Sequence, residues 1–320
     1  MDTATQTRGA DDALPIVDAH MHLWDLTENY HPWLCDEPAP MLRYGDYTPL
    51  RRNYLPSDYR RDAAGVKVVA TVYVEAEWNP VDPLGETRWV HRIAAHEGMP
   101  SAMVAQAWLG REDTRELLEA QARFPLVRGI RHKPRASARS GASPQGARGT
   151  LRDPSWRDGF AELERLGLSF DLQVAHWHLQ EAAELAADFP AVPIIIDHAG
   201  QCDDRSEEGL ARWRSSLETA ARQGNMFLKI SGLGVSGRRW SLVDNAEVIR
   251  DAIAIFGPDR CMFASNFPVD SLVGDFPAVY SGFFAATAGR PEQELRMLFH
   301  DTARRVYRLD GRTQTTGTEA

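Results

Sequence analysis

Eight short apolar segments rich in β-branched residues recur along the chain, separated by longer polar stretches. They lie at 15–19, 66–74, 101–109, 126–130, 168–174, 192–196, 226–230 and 261–264. Apolar runs of this length are typical of strands that are buried on both faces. The pattern therefore predicts a parallel sheet whose two faces are both covered.

Segments with helical periodicity connect these strands, most clearly at 113–125, 153–167, 179–190 and 208–224. Several end in Gly or Phe-Pro, as helices often do. Eight such units in one chain favour a closed barrel. A doubly wound open sheet is the alternative, disfavoured because no GxGxxG motif follows the first strand. We predict a single-domain α/β protein, a (β/α)8 TIM barrel over 14–310, between flexible tails at 1–13 and 311–320.

Charge and composition narrow the classes of partner. The net charge is −9, the calculated pI is about 5.6 and no basic block stands out, so neither nucleic acid nor an anionic membrane is expected. The three cysteines are far apart, which suits a reducing compartment. No secretory signal opens the chain, and no apolar run approaches the roughly 18 residues of a membrane span. We predict a cytoplasmic protein, with a homodimer left open.

Two connections are longer than such a barrel requires. Residues 25–57 contain Trp33, several tyrosines and five prolines, whereas 135–152 is rich in Ala, Ser, Gly and Arg. Long loops in compact domains are usually functional or disordered. We predict that 25–57 forms a lid over the binding site, with Trp33 or a neighbouring tyrosine lining it, and that 135–152 is mobile.

Polar residues collect where the predicted strands end. In a barrel these ends meet at one mouth, the C-terminal face, where the active sites of this fold lie. The set is His20, His22, Glu75, Glu77, Arg131, His132, Lys133, Asp171, Gln173, His176, His178, Asp197, His198, Lys229, Ser231, Ser265, Asn266 and Asp270. Packing alone does not explain so many, because buried charges must be paired or bound to something.

His20 and His22 are two residues apart at the end of the first strand. Side chains alternate along a strand, so these two imidazoles point to the same side. Both can face the barrel mouth and converge on a cation or a substrate carboxylate. The alternative is a pair of core histidines that are hydrogen-bonded to their neighbours.

With the segments that follow it, this opening resembles the amidohydrolase superfamily, and within it the lactonase branch. The segments that carry the resemblance are VDAHMHLWD (17–25), GIRH (129–132), DLQV (171–174), DHAG (197–200), KISG (229–232), FASNFPVD (263–270) and FHDTARRVYRL (299–309). Their order and spacing cover nearly the whole chain. The resemblance implies a distorted (β/α)8 barrel that hydrolyses small acidic or sugar-derived lactones, in some members with one divalent metal ion and in others with none.

The chain departs from this family at the end of the eighth strand. The resemblance implies an aspartate there that takes a proton from the attacking water, but this sequence has Asn266. A carboxamide cannot act as a general base near neutral pH. We predict that Asn266 holds a water or substrate oxygen, while Asp270 or Glu75 accepts the proton or a bound metal ion activates the water.

The candidate metal ligands are His20, His22, His198 and Glu75. This set would suit one Zn2+ or Mn2+ and leave a coordination position for water. His198 is also a candidate catalytic residue. No lysine precedes Lys133 on the fourth strand, so the carboxylated lysine of binuclear members cannot be identified and a two-metal site is not expected. Glu75 has an alternative, an ion pair with Arg131 or Lys133. A metal-free mechanism also stays open.

The candidate substrate-binding residues are Arg131, Lys133, Gln173, His176, Lys229 and Trp33. Two cations at one strand end suit a carboxylate, which arginine can bind through two hydrogen bonds. Lys229 adds a third cation or polarises an ester carbonyl. Alternatively, one of the two fourth-strand cations pairs with Glu75 or Asp171.

These observations predict a hydrolase that opens a small anionic or sugar-derived lactone, a carboxylic ester, by attack of an activated water. Two other classes stay open. A decarboxylase or hydratase of the same superfamily would use the same histidine pair and a metal ion. A non-catalytic binding barrel is suggested only by Asn266.

Overall fold

The computed structural model describes residues 14–38, 41–137 and 147–310. The tails at 1–13 and 311–320, and residues 138–146 of the long second connection, lie outside the described residues. Their flexibility therefore stays a prediction.

All eight sequence-predicted strands are present. In chain order the strands are β1 (Ile16–Met21), β2 (Met41–Leu42), β3 (Gly45–Asp46), β4 (Val68–Val74), β5 (Ala102–Gln106), β6 (Val127–Arg131), β7 (Ser169–Leu172), β8 (Ile194–Ile196), β9 (Met226–Ile230) and β10 (Cys261–Phe263). β2 and β3 form an antiparallel hairpin, and the other eight form one parallel sheet in sequence order.

The sheet closes just beyond the ends of β1 and β10. The backbone N–H of Asn266 donates to the carbonyl of His20 at 2.9 Å, and the N–H of His22 donates to the carbonyl of Phe267 at 2.8 Å. These bonds join the first and last barrel strands at the C-terminal mouth. The distorted (β/α)8 barrel is therefore confirmed, and Asn266 is held beside His20.

Helices surround the barrel. Their bounds are α1 (Pro32–Cys35), α2 (Pro56–Asp62), α3 (Gly85–Glu97), α4 (Thr114–Ala122), α5 (Pro154–Leu166), α6 (Leu179–Asp188), α7 (Glu207–Ala221), α8 (Leu242–Phe256), α9 (Phe276–Ala286), α10 (Glu292–Arg296) and α11 (Thr302–Val306). Local signals set several ends. Asp153 and Ser206 cap α5 and α7 by accepting from backbone N–H groups, and Gly167 ends α5 with a left-handed φ of 63°. No helix of the described residues is long and apolar enough to cross a membrane.

The core has two parts. One fills the space between the sheet and the helices, and the other fills the barrel interior with small and branched residues such as Val17, Val72 and Val104. Val306 and Tyr307, at the end of the chain's last helix, pack against this inner cluster. The interior is therefore solid, and chemistry is confined to the mouth.

Candidate active site

Three histidine side chains converge at the barrel mouth. His20 and His22 come from the end of β1, and His198 follows β8. The Nε2 atoms of His20 and His22 are 3.2 Å apart, and the ring centroids of His20 and His198 are 4.7 Å apart. Two imidazole nitrogens bound to one Zn2+ at about 2.1 Å would lie roughly 3.4 Å apart in a tetrahedral site. The spacing of His20 and His22 therefore suits a shared cation.

Irregular backbone geometry determines the direction in which these side chains point. In β1 the pairing register with β4 shifts in the second half of the strand. After β8, His198, Ala199 and Gln201 have φ values of 55°, 51° and 56°. Non-glycine residues in this left-handed region cost on the order of 1–3 kcal/mol each and persist where the surroundings hold them. The resulting turn brings Asp197 and His198, which are adjacent in sequence, into one cluster.

Hydrogen bonds orient two of the imidazoles. Nδ1 of His22 lies 2.7 Å from the carbonyl oxygen of Val74, so this nitrogen must carry the proton and Nε2 presents its lone pair towards His20. Nδ1 of His198 is 3.0 Å from the hydroxyl oxygen of Ser231. Burial lowers the pKa of His22 and of His198 to about 3. Both rings are therefore neutral at pH 7, which is the form that binds metal ions.

Asp197 completes the cluster, although it was not predicted as a ligand. His20, Asp197 and His198 each offer a ligand atom, and these atoms lie within 4.8 Å of one another. Burial favours the neutral carboxyl, but the Lys229 ammonium holds the pKa of Asp197 well below its usual range. Among the described residues neither of its oxygens has a hydrogen-bond partner, although the Lys229 ammonium lies 3.4 Å from Oδ1. A buried carboxylate without hydrogen bonds beside neutral imidazoles suits Zn2+ or Mn2+, so these residues fit a divalent cation.

Glu75 is engaged elsewhere. One carboxylate oxygen pairs with the buried guanidinium of Arg131, and the other accepts the backbone N–H of Glu77 at 2.8 Å. Both oxygens therefore have partners within the protein, and the predicted roles of Glu75 as metal ligand and as base stay predictions. The alternative, an ion pair with Arg131, is the observed arrangement.

Two predicted substrate-binding residues lie away from the cavity at the mouth. Nδ1 of His176 is 3.2 Å from the hydroxyl oxygen of Ser216 on α7, because the turn after β7 directs its ring towards the helices. Lys229 is fully buried below the histidines and pairs with Asp171. Neither side chain is among those that line the cavity, and their predicted contacts with substrate stay predictions.

Asn266 faces the cavity, with Asp270 directly behind it. The Nδ2 group of Asn266 donates to Oδ1 of Asp270 at 2.7 Å, and the hydroxyl of Tyr44 donates to the same oxygen at 3.1 Å. Burial raises the pKa of Asp270 to about 6. Asp270 is 1% exposed and does not itself line the cavity, whereas its partners Asn266 and Tyr44 do, so its predicted role as proton acceptor requires one of them as an intermediary.

The cavity at the mouth has a volume of about 370 Å3. Its lining is His22, Trp33, Leu42, Arg43, Tyr44, Tyr47, Ala76, Glu77, Arg131, Lys133, Gln173, His198, Gln201, Asn266 and Val269. One wall is thus aromatic and comes from the 25–57 segment, as predicted for Trp33. The opposite wall is polar and comes from the strand ends. Arg131, Lys133 and Gln173 line it, as their predicted role requires.

Each of the three cations in this lining already has an acidic partner. Arg131 pairs with Glu75 and donates to Gln173 at 3.2 Å, and Lys133 pairs with Glu77. The third is Arg43, which pairs through Nε with Asp203 Oδ1 at 2.6 Å. The cavity therefore carries little excess positive charge.

Sequence reasoning missed Asp197 as a ligand, and Tyr44 and Arg43 as individual lining residues. Asp197 and His198 were both noted at the sixth strand end. Regular alternation would point their side chains apart, and only the left-handed turn reverses that. Tyr44 and Arg43 lie in the predicted lid, but nothing in their spacing marked them above other residues of that segment.

Comparison with known proteins identifies the family. The sequence profile of the amidohydrolase family matches residues 17–309. The chain belongs to the amidohydrolase family.

Several relatives span the whole barrel. An uncharacterised protein of Sinorhizobium fredii is 40% identical over 92% of this chain and 99% of its own length. An L-fucono-1,5-lactonase of Burkholderia multivorans is 29% identical over 92% of this chain and 96% of its own. A crystal structure of a Burkholderia multivorans amidohydrolase with bound zinc superposes with a TM-score of 0.75 at 26% identity, covering 92% of this chain and 99% of that one. Relatives named as lactonases support a hydrolase.

Proposed function

We propose that this amidohydrolase opens a small, sugar-derived lactone by adding water across the ring ester. The observation that carries the proposal is the mouth cavity, which is lined by aromatic side chains and by the imidazoles of His22 and His198, two members of the buried cluster that also contains His20 and Asp197. Lactonase-named relatives at 22–29% identity support the same reaction class. The volume of about 370 Å3 suits one monosaccharide-sized ring.

The charge of the cavity favours a neutral sugar lactone over one with several carboxylates. Arg43, Arg131 and Lys133 are all neutralised by acidic partners within the protein. A dianionic substrate would have to displace these partners, which costs the ion pairs already formed. Sugar hydroxyls need hydrogen-bonding groups rather than net charge, and Gln173, Gln201 and Asn266 provide them. The aromatic wall offers Trp33, Tyr44 and Tyr47 for the apolar ring face.

His20, His22, His198 and Asp197 would hold one divalent cation. When bound, such an ion polarises a carbonyl and lowers the pKa of water. The protein's own residues then orient the lactone, with Asn266 placed beside the cluster by its backbone bond to His20.

The attacking water must lose a proton, and the described residues offer one route. Tyr44 lines the cavity and its hydroxyl donates to Asp270, whose pKa of about 6 leaves it ionised at pH 7. As the water oxygen bonds to the carbonyl carbon, its proton passes to the Tyr44 oxygen while the Tyr44 proton passes to Asp270. The leaving ring oxygen later takes a proton back by the reverse path. Asp270 thus acts through Tyr44 rather than on the substrate.

A panel of candidate substrates tests the proposal. Purified protein, with and without added Zn2+ or Mn2+, is mixed with five- and six-membered lactones of neutral sugar acids, a dicarboxylated pyrone and aromatic carboxylates. We expect acid release from a neutral sugar lactone, read with a pH indicator. Acid consumption with an aromatic carboxylate would instead indicate decarboxylation. Tight binding without turnover would indicate a binding barrel.

A further inference from the structure

Lys229 is a cation inside the barrel that the proposed reaction does not use. Its side chain comes from β9, is fully buried and pairs with Oδ2 of Asp171. The Nζ atom also lies 3.4 Å from Oδ1 of Asp197 and 3.4 Å from Nδ1 of His20. Tyr307 encloses it, with its ring centroid 5.2 Å from Nζ and its hydroxyl donating to Asp171 at 2.9 Å.

Two carboxylate oxygens and one imidazole nitrogen around a buried point are the ligand types that hold divalent metal ions. Here an ammonium group occupies that point. His20 lies between two such positions, because its Nδ1 faces Lys229 while its Nε2 faces His22. The outer position opens to the cavity, whereas the inner one is sealed by the barrel core.

The charges around the two positions are unequal. Lys229 and Arg131 carry two positive charges, whereas Asp171, Asp197 and Glu75 carry three negative ones, all of them buried. With neutral imidazoles, one negative charge is left without compensation. Buried charges need partners, so the surroundings favour one additional cation but do not favour two while the ammonium is present.

We propose that the Lys229 ammonium is a built-in replacement for a metal ion at the inner position, and that it limits the cluster to the outer cation. The two positions share Asp197 and His20, so occupancy of one by a fixed positive charge raises the cost of filling both. Removing the ammonium and its stem creates a second divalent-cation site from Asp171, Asp197 and His20. This inference does not depend on lactone hydrolysis, because its measure is bound metal.

The test compares metal content of Lys229→Ala with that of the wild type and two matched variants. Lys229→Met removes the charge but fills the space, and Lys133→Ala removes a lysine that pairs with Glu77 outside the cluster. Each protein is saturated with Zn2+ or Mn2+, dialysed, and analysed by inductively coupled plasma mass spectrometry. We expect Lys229→Ala to hold one more ion per chain than the wild type, with the other two unchanged. A crystal of Lys229→Ala should show an anomalous peak between Asp171 and His20.

A folded Lys229→Ala whose metal content equals that of the wild type would overturn the proposal. Because this variant leaves two buried carboxylates without their cation, it is also refolded with and without the metal ion. Folding that requires the ion supports the inner site, whereas a chain that stays unfolded in both buffers contradicts it. Because the measure is bound metal rather than turnover, failure of this inference stays distinguishable from failure of the proposed lactone hydrolysis.

Discussion

The side-chain amide of Asn266 donates a hydrogen bond to the carboxylate of Asp270. Because Nδ2 is committed to Asp270, the amide oxygen is the group left to face the cavity. This arrangement explains how an asparagine serves where the family resemblance implied an aspartate. In the proposed mechanism the amide oxygen orients a water or a substrate hydroxyl, and proton transfer is left to the Tyr44–Asp270 pair.

Asn266→Asp should therefore impair the enzyme rather than improve it. The new carboxyl would lie within hydrogen-bonding distance of Asp270, and two such groups share one proton because they resist joint ionisation. The wild type should lose kcat/KM as the pH falls through about 6, where Asp270 becomes protonated. In Asn266→Asp we expect this acid limb to move upward by about one pH unit or more. Profiles of kcat/KM against pH decide the point, and a superimposable pair of curves would count against the pairing.

At the scale of elements, the 25–57 segment lines the cavity and, in the proposed mechanism, also supplies a proton-transfer residue. Tyr44 follows the β2 strand and reaches across the mouth to Asp270, while Tyr47 stacks beside it at 6.3 Å between ring centroids. The two tyrosines share the cavity wall, but the described hydrogen bonds give only Tyr44 the link to Asp270. They form a matched pair for mutagenesis.

Tyr44→Phe should lower kcat by about 10², the usual size of a general acid–base contribution, with KM little changed. Tyr47→Phe keeps the ring and should change kcat far less. Steady-state kinetics on the best lactone measures both. Equal effects of the two substitutions would mean that the wall only packs against the substrate.

Arg43 anchors the same segment to the barrel through Asp203 and the carbonyl of Gly232. The Asp203 side chain is half-exposed, so this ion pair is worth up to about 1 kcal/mol. Arg43→Ala should raise KM roughly two- to fivefold with a small effect on kcat. A double-mutant cycle with Asp203→Asn isolates the ion pair, because additive effects would show that the two side chains act independently.

Across the whole molecule, the order of strands and helices was predictable because each barrel strand is a continuous apolar run with clear boundaries. The meeting of His20, His22 and His198 was predictable for the same reason, since barrel strand ends share one mouth. The differences between expectation and structure have local causes. The contacts of Glu75 depend on Arg131, a partner that is distant in sequence. The positions of Asp197 and His176 depend on turns that hydrophobic periodicity does not encode.

The flexibility of the tails, the lid role of 25–57, the cytoplasmic location and the individual roles of the site residues stay predictions. Hydrolysis of a lactone at the histidine cluster is the central proposal. His22→Ala removes a ring whose Nε2 faces His20. His96→Ala is the matched control, because His96 is an exposed histidine on α3 that is not part of the cluster.

The most direct measurement is a pH-stat titration of lactone opening by the wild type, His22→Ala and His96→Ala at equal concentrations, with thermal unfolding followed in parallel. Ring opening at this cluster predicts one equivalent of acid per lactone from the wild type and His96→Ala. It predicts a loss of about 10² or more in rate for His22→Ala, with its melting transition retained. Acid release by a folded His22→Ala at the wild-type rate would contradict hydrolysis at this site.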